Sequence, residues 1–483
     1  MIIKKPPIVT ILGHVDHGKT TLLDYIRKSN IALKEAGFIT QKIGAYEIEF
    51  KGEKITFIDT PGHLAFTKLR ERGAKVSDIG VLVIAADEGV KPQTKESLEF
   101  LKIYKIPFIV ALNKIDKKEA DPERVLAELV ELGVIPEKWG GDIPVVNISA
   151  KTGEGVDELL DLIILLRDLN DLKTENEGPA KGFILEATKD PKRGNLASLI
   201  VSSGHLKLNE FIITSSTWGK IKFLEDDLGR KIDEAYPCKP IIIGNFESLP
   251  LPGEEFEVGN EKDIKEIQKR LKEKEISFSK KYIFISEDKE GDMCLIIKAD
   301  HIGSLEALDG ILTNLANKYS LNIKIIKQDL GSLSFQDLDL AKETKALILT
   351  FNLKNPKIIL EKAKELNVKI IEGNVIYELE EKLENLILSK EEASQKIKGE
   401  LVVLATFNKT KTKKTVGGKV ELGKIKLGDR IIILRGEEMI GKGRIISLEK
   451  NRIPAEEVQE GELCGLIIET TKDIEINDII RVE

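Results

Sequence analysis

Only 3 cysteines occur in 483 residues, and Cys238, Cys294 and Cys464 lie far apart with no CxxC pairing. That spacing supports neither a disulfide framework nor a zinc site, and buried thiols are the expectation. No apolar run reaches the length of roughly eighteen residues that a membrane-crossing helix needs. The start of the chain, with Lys4, Lys5, Pro6 and Pro7, does not read as a signal peptide. Aromatic residues are few, at 5%, while charged residues reach 32%. This balance points to a soluble, highly charged cytoplasmic protein. No membrane partner is expected, and the chain is expected to be a monomer. The net charge of −7 argues against a protein that coats nucleic acid indiscriminately and leaves any RNA contact to local basic patches. With 41% apolar residues, the length predicts several domains, about three or four, each with its own core.

The informative residues cluster in the first third of the chain. Gly13, His14, Val15, Asp16, His17, Gly18, Lys19 and Thr20, followed by Thr21, form a P-loop. Glycines at both ends let backbone N–H groups close around phosphates, Lys19 reaches the outer phosphates, and Thr20 ligates magnesium. The loop follows the apolar run 8–12 and precedes residues 21–27, where apolar residues recur at helical spacing. That is the strand, loop, helix setting the motif requires. Asp59, Thr60, Pro61, Gly62 and His63 follow a second apolar run, 55–58. From a strand end Asp59 can hold the metal through water, and Gly62 can bring its N–H near a γ-phosphate because no side chain obstructs it.

Asn113, Lys114 and Asp116 follow the run 108–112, and Ser149, Ala150 and Lys151 follow 145–148. Open α/β sheets bind ligands at such strand ends. Asp116 can accept hydrogen bonds from N1 and the 2-amino group of guanine, which adenine does not offer. A P-loop alone would also fit an ATPase or a chance glycine turn, but the base-reading residues downstream select guanine. GTP and GDP with Mg²⁺ are therefore the expected ligands. His63 is the candidate catalytic residue. A lone histidine is more often a surface or satisfied core residue, yet this one directly follows Asp-Thr-Pro-Gly, where GTPases put the group that orients attacking water.

Strand-like runs alternate with helical segments through residues 1–172, which reads as a doubly wound α/β GTP-binding domain. A polar stretch with Gly178 and Pro179 marks a boundary. Residues 178–260 show short β-like runs at 183–187, 197–201 and 211–214, as in a small β-barrel. Residues 261–289 read as a charged helical linker with Ile264, Ile267 and Leu271 on one stripe. Residues 290–373 alternate β and α segments and predict a compact parallel α/β domain. Ile376, Leu379, Leu383 and Leu386 give a long linker helix over 374–397 with one narrow apolar stripe. In 398–483 β-like runs return at 401–406, 430–434, 444–448 and 465–469, predicting a C-terminal β-barrel. Lys409, Lys411, Lys413 and Lys414 cluster in an expected connecting loop of that barrel, and Lys192 and Arg193 sit in a turn of the first. Either cluster could touch RNA phosphates or could simply keep a turn soluble.

Residues 13–27, 35–46, 59–66, Trp139 with Gly140, Gly141 and Asp142, Lys298 with Asp300, and 303–308 together resemble bacterial translation initiation factor two. This is a translational GTPase family related to the archaeal and eukaryotic factor that joins ribosomal subunits, and the similarity covers essentially the whole chain. The resemblance implies a GTPase with both ribosomal subunits and initiator formylmethionyl-tRNA as partners, placing that tRNA in the P site and promoting subunit joining. By the same resemblance Thr40 is a switch threonine that ligates magnesium when GTP is bound, and His63 orients water once the ribosome positions it. Phe38 stands where that switch usually has glycine. The family's long N-terminal extension is not matched. In the last domain Cys464 and Gly465 stand where the tRNA-end pocket has a Cys-Gly pair, but Leu463 replaces a glutamate, Gly418 a cysteine, and Glu449, Lys450 and Asn451 a Lys-Arg-Phe run. Altered pocket chemistry is the expectation. An elongation-type GTPase would share the first two domains, and a GTP-gated RNA-binding scaffold with little turnover would share the nucleotide site. The order of segments after residue 261 argues against the former, and intact His63 and Thr40 against the latter.

Overall fold

The computed structural model describes residues 2–28, 40–41, 43–260, 262–266, 268–269, 293–396, 398–409, 412–436 and 438–482. Phe38, Lys411 and most of the helical linker expected at 261–289 lie outside them. The chain divides into two compact units, Met1–Glu380 and Glu381–Glu483.

The first unit begins with β1 (Ile2–Lys4), β2 (Ile8–Gly13), α1 (Lys19–Arg27), β3 (Gly44–Phe50), β4 (Glu53–Asp59), α2 (Thr67–Val76) and β5 (Ile79–Ala85). It continues through α3 (Pro92–Ile103), β6 (Phe108–Asn113), α4 (Pro122–Glu131), β7 (Val145–Asn147) and α5 (Val156–Leu169). Six strands form one sheet in the order β3-β4-β2-β5-β6-β7, parallel except for β3. Every residue of β2 and β5 is buried, as expected for central parallel strands covered on both faces. Ile11, Leu22, Phe57 and Leu159 pack on one side of the sheet, and Leu12, Leu98, Leu112 and Leu126 on the other. The registers pair Ile11 with Asp59, Gly13 with Val83, Ala85 with Asn113, and Leu112 with Asn147. All four motifs therefore leave the sheet at its carboxyl edge. The strand order reverses at β2, where α/β sheets open a ligand crevice.

The polar stretch expected as a boundary contains the strand Lys173–Glu175, which pairs antiparallel with β1. With three residues and a single buried side chain, Thr174, it is too short to show a period. An antiparallel β domain follows, centred on the hairpin Lys181–Asp190 and Gly194–Ser203. Its seven-stranded sheet extends through Glu255–Gly259, Phe211–Thr214 and Trp218–Lys220 on one side and Pro240–Gly244 and Leu224–Asp226 on the other. A bridge between Gly219 and Phe246 and a hydrogen bond from Glu247 N to Trp218 O (2.9 Å) bring the two margins together.

A third region has four parallel strands: Ile323–Leu330, Met293–Ala299, Leu347–Phe351 and Ile370–Gly373, in that spatial order. Helices Ile302–Tyr319, Phe335–Thr344 and Lys357–Glu365 connect them. The middle helix adds to the sequence reading. It is held by a capping box in which Ser334 Oγ accepts from Asp337 N and Asp337 Oδ2 from Ser334 N. The helix Ile376–Lys396 begins in the first unit and buries Ile376, Leu379, Leu383 and Ile387. Ile387, not Leu386, continues the buried stripe because the helical face drifts as the chain advances.

The second unit is a six-stranded barrel. Strands Gly399–Lys409, Ile479–Val482, Arg430–Arg435, Glu438–Lys450, Leu463–Glu469 and Lys413–Lys426 pair in sequence, and the last pairs back with the first. Val403, Val416, Ile433, Leu466 and Ile480 fill it. Lys413 and Lys414, expected in a loop, begin the fourteen-residue strand Lys413–Lys426. Lys414 is buried and paired with Asp473 at 2.6 Å, which weakens the reading of it as a phosphate contact.

Candidate functional site

Backbone space defines the phosphate loop. Gly13 ends β2 at φ 141°, and a Cβ there would lie 2.3 Å from Val83 O. Gly18, the residue before α1, has φ 89° and leaves room for the Asn113 amide, which a Cβ would meet at 2.3 Å. Glycine alone satisfies both demands. Lys19, in the first turn of α1, is 6% exposed, and its Nζ reaches Gly13 O at 3.0 Å and His14 O at 2.6 Å. Burial lowers its pKa to about 8, against the opposing pull of Asp59 and Asp16. A phosphate would restore the charge balance. His14 and His17 of the same loop are also pulled down, mainly by burial, His17 to about 3. Val15, Asp16, Thr21, Thr60, Gly62 and His63 line one cavity with Lys19, Thr20 and Thr40.

Three oxygens converge beside that cavity. Thr20 Oγ1 lies 2.8 Å from Thr40 Oγ1, which donates to Asp59 Oδ2 at 3.4 Å. Two hydroxyls and one carboxylate make a hard oxygen set with few protein charges, which fits Mg²⁺ held jointly with phosphates and water. Among the described residues no cluster of His, Cys, Asp and Glu forms an alternative metal site. Gly62 stands directly over the loop: a Cβ there would be 2.6 Å from Lys19 Nζ and 3.0 Å from Val15 N.

The residues expected to read the base form a connected network. Asn113 Nδ2 donates to His17 O at 2.8 Å while its Oδ1 accepts from Ala150 N at 2.9 Å, tying the P-loop to the Ser149, Ala150, Lys151 turn. Ser149 Oγ donates to Asp116 Oδ1 at 2.7 Å, and that hydrogen bond lowers the Asp116 pKa, so the carboxylate stays an acceptor. Lys114 has φ 67° and pairs with Glu88 at 2.9 Å.

His63 caps a short 3₁₀ turn, Leu64–Phe66, with Nδ1 accepting from Ala65 N at 3.0 Å. A backbone N–H can only donate, so the neutral ring carries its proton on Nε2. The ring is 8% exposed, and burial, with Arg70 adding to it, lowers its pKa to about 4.

Four residues not singled out from the sequence complete the site. Gln93, in the first turn of α3, accepts from Val15 N at 2.9 Å. Arg70 is fully buried; its Nη1 donates to Pro61 O and His63 O, on either side of Gly62, and its Nη2 pairs with Glu96 at 2.7 Å. Within the same unit, Gln41, beside Thr40, donates to Asn374 O at 2.8 Å, and the Tyr377 ring stands against His63. Pro92 stands in the first turn of α3, as helix starts favour, but nothing local in the sequence ties Gln93 to the loop.

In the barrel, Cys464 turns into the core at 7% exposure, and burial raises its pKa to about 11. Gly465 faces outward with open space at its Cβ position, opposite Gly417. Phe407 and Leu463 are exposed, at 61% and 60%. Gly418 faces inward, where a Cβ would meet Leu401 at 2.3 Å. Arg193 pairs with Glu225 at 2.9 Å.

Comparison with known proteins adds identity to this geometry. The model of the elongation factor Tu GTP binding domain matches residues 4–167, that of elongation factor G domain 2 matches 179–259, and that of translation-initiation factor 2 matches 266–384. Translation initiation factor IF-2 of Aquifex aeolicus (strain VF5) is 42% identical over 99% of this chain. The chain spans only 61% of that relative's length. IF-2 of Onion yellows phytoplasma (strain OY-M) is 38% identical over 99% of this chain and 79% of its own. Among solved structures, GDP-bound aIF5B from Aeropyrum pernix aligns with 100% of this chain and 92% of its own at 26% identity and a TM-score of 0.47. At 38% identity across 79% of that relative's length, the chain belongs to the translation initiation factor IF-2 family.

Proposed function

We propose that this chain is a ribosome-dependent GTPase of translation initiation, hydrolysing GTP to GDP and phosphate. It promotes placement of initiator formylmethionyl-tRNA in the P site and joining of the ribosomal subunits, and hydrolysis drives its release. The observation that carries the reading is the convergence of the P-loop, the Thr20, Thr40 and Asp59 oxygens, and the Asn113, Asp116 and Ser149 network at one sheet edge. Lys19 and the loop N–H groups hold the phosphates. Thr20 and Thr40 would hold Mg²⁺ directly and Asp59 through water; when bound, the ion neutralises charge between the phosphates. Asp116 reads the base and His63 orients the attacking water. Completion of such a site by a partner supplies about 10³ to 10⁵ in rate, or about 4 to 7 kcal/mol.

In the same reading the β domain is a barrel, the helix Ile376–Lys396 is the connecting rod, and the C-terminal barrel takes the aminoacyl end of initiator tRNA along the outward face that Gly465 shares with Leu463, with Cys464 packed behind them in the core. Leu463 offers no carboxylate for hydrogen bonds worth roughly 1.5 to 3 kcal/mol. Formyl discrimination is therefore expected to be weaker than in relatives with glutamate there, and Leu463→Glu to sharpen it. Filter binding of formylated and unformylated initiator tRNA at one fixed salt concentration reads this directly, since phosphate contacts vary with salt. A strong formyl preference in the unsubstituted protein would contradict it. For the reaction itself, phosphate release from GTP with and without ribosomal subunits is the test: stimulation by ribosomes supports the reading, and equal rates count against it.

A further inference from the structure

The segment of Thr40 and Gln41 and the segment of His63 both contact one turn of chain, residues 374–377. Gln41, next to Thr40 and 7% exposed, spends both ends of its amide on that turn: Nε2 donates to Asn374 O at 2.8 Å, and Oε1 accepts from Ile376 N at 2.9 Å. Ile376 opens the helix Ile376–Lys396, so Gln41 satisfies an N–H that the helix cannot satisfy itself. One residue further, the Tyr377 ring stands edge-on to the His63 ring, centroids 4.0 Å apart at 86°. Phe66 borders His63 at 6.2 Å, and Ala65 N occupies its Nδ1. His63 is thus enclosed by aromatic rings with its only acceptor nitrogen in use. Tyr377 itself is 43% exposed, so its outer face is accessible.

We propose that Tyr377 is a positioning residue that restrains His63, its ring a removable stop that keeps the imidazole from engaging the attacking water until the turn 374–377 lifts off the switch segments. Gln41 is the link to the phosphate site, because Thr40, its neighbour, lies 2.8 Å from Thr20 beside the P-loop. Any displacement of Thr40 would therefore be felt at the cap of the same helix. The inference rests on the GTPase reading above. It concerns ring contact; the tyrosine hydroxyl plays no part in it.

The test is ribosome-free GTP hydrolysis by the full chain. Tyr377→Ala is expected to raise kcat about fivefold with KM changed by less than about twofold, and to shrink the factor of ribosome stimulation correspondingly. Tyr377→Phe keeps the ring and is expected to restore wild-type kinetics, whereas adding His63→Ala to Tyr377→Ala is expected to abolish the gain. An unchanged kcat in Tyr377→Ala, a gain that survives loss of His63, or a phenylalanine variant that behaves like alanine would overturn the proposal. Should Tyr377→Ala lower kcat and raise KM together, the ring is structural support and the proposal is wrong. If the unsubstituted protein fails to hydrolyse GTP even on ribosomes, the parent reading falls and takes this one with it. Ribosomal hydrolysis that is normal beside an indifferent Tyr377→Ala removes only the restraint.

Discussion

His63 is neutral throughout the physiological range, because burial first and the Arg70 guanidinium second hold its pKa at about 4. Its contribution to turnover is therefore expected to be flat between about pH 6 and 8, and a kcat inflection in that interval that disappears in His63→Ala would contradict the assignment. The same substitution is expected to leave GTP binding nearly intact while lowering ribosome-stimulated hydrolysis at least about tenfold. Loss of both together would point to a structural role. The depressed values also bear on stability. In the unfolded chain His63 and His17 protonate near the ordinary histidine value of 6.5, whereas in the fold they do so only at about 4 and about 3. The unfolded state binds more protons in that window, so stability present above pH 6.5 is lost as pH falls toward about 4 and then 3. Urea unfolding midpoints measured across this window should fall with pH, and more shallowly in a His63→Gln variant; an identical slope would show that His63 carries none of the effect.

At the level of elements, the loop after β4 depends on a buried ion pair. Arg70 of α2 is wholly enclosed and paired with Glu96 of α3, whose side chain is 21% exposed. Glu96→Ala leaves that guanidinium without its counter-charge and is expected to cost about 2 to 4 kcal/mol in denaturant unfolding. Combining it with Arg70→Met is expected to recover part of the loss, because no buried charge is then stranded; strictly additive losses would refute the pairing argument. Which elements could be read in advance follows from how local their signals are. Strands β2, β4 and β6 are short continuous apolar runs that end in turn or site residues, so they are visible without any alternation. The helix Phe335–Thr344 has a capping box in Ser334 and Asp337, but its apolar residues are too few to mark a helical stripe in the sequence. The strand Lys413–Lys426 opens with lysines and carries Gly417, Gly418 and Gly423, a composition of turns; only the inward alternation of Val416, Gly418 and Val420 reveals it.

Across the first unit, the nucleotide-site motifs were legible because each is a contiguous run whose chemistry is fixed by spacing. Their supports were not. Gln93 reaches Val15 across 78 positions, and Gln41 reaches Ile376 across 335. No window of sequence joins such pairs; the fold brings them together when the strands align at one edge. The barrel shows the reverse case. There the Cys464, Gly465 pair was visible, but which of the two faces outward depends on strand register, which a one-residue shift would invert. The central claim, a guanine-specific hydrolase switched on by the ribosome, is tested most directly by exchanging the base reader. Asp116→Asn replaces an acceptor with an amide that can donate to the 2-carbonyl of xanthine. In ribosome-stimulated phosphate release, the unsubstituted protein is expected to use GTP and not XTP, and Asp116→Asn to use XTP in preference to GTP. A variant that retains its preference for GTP would contradict the account.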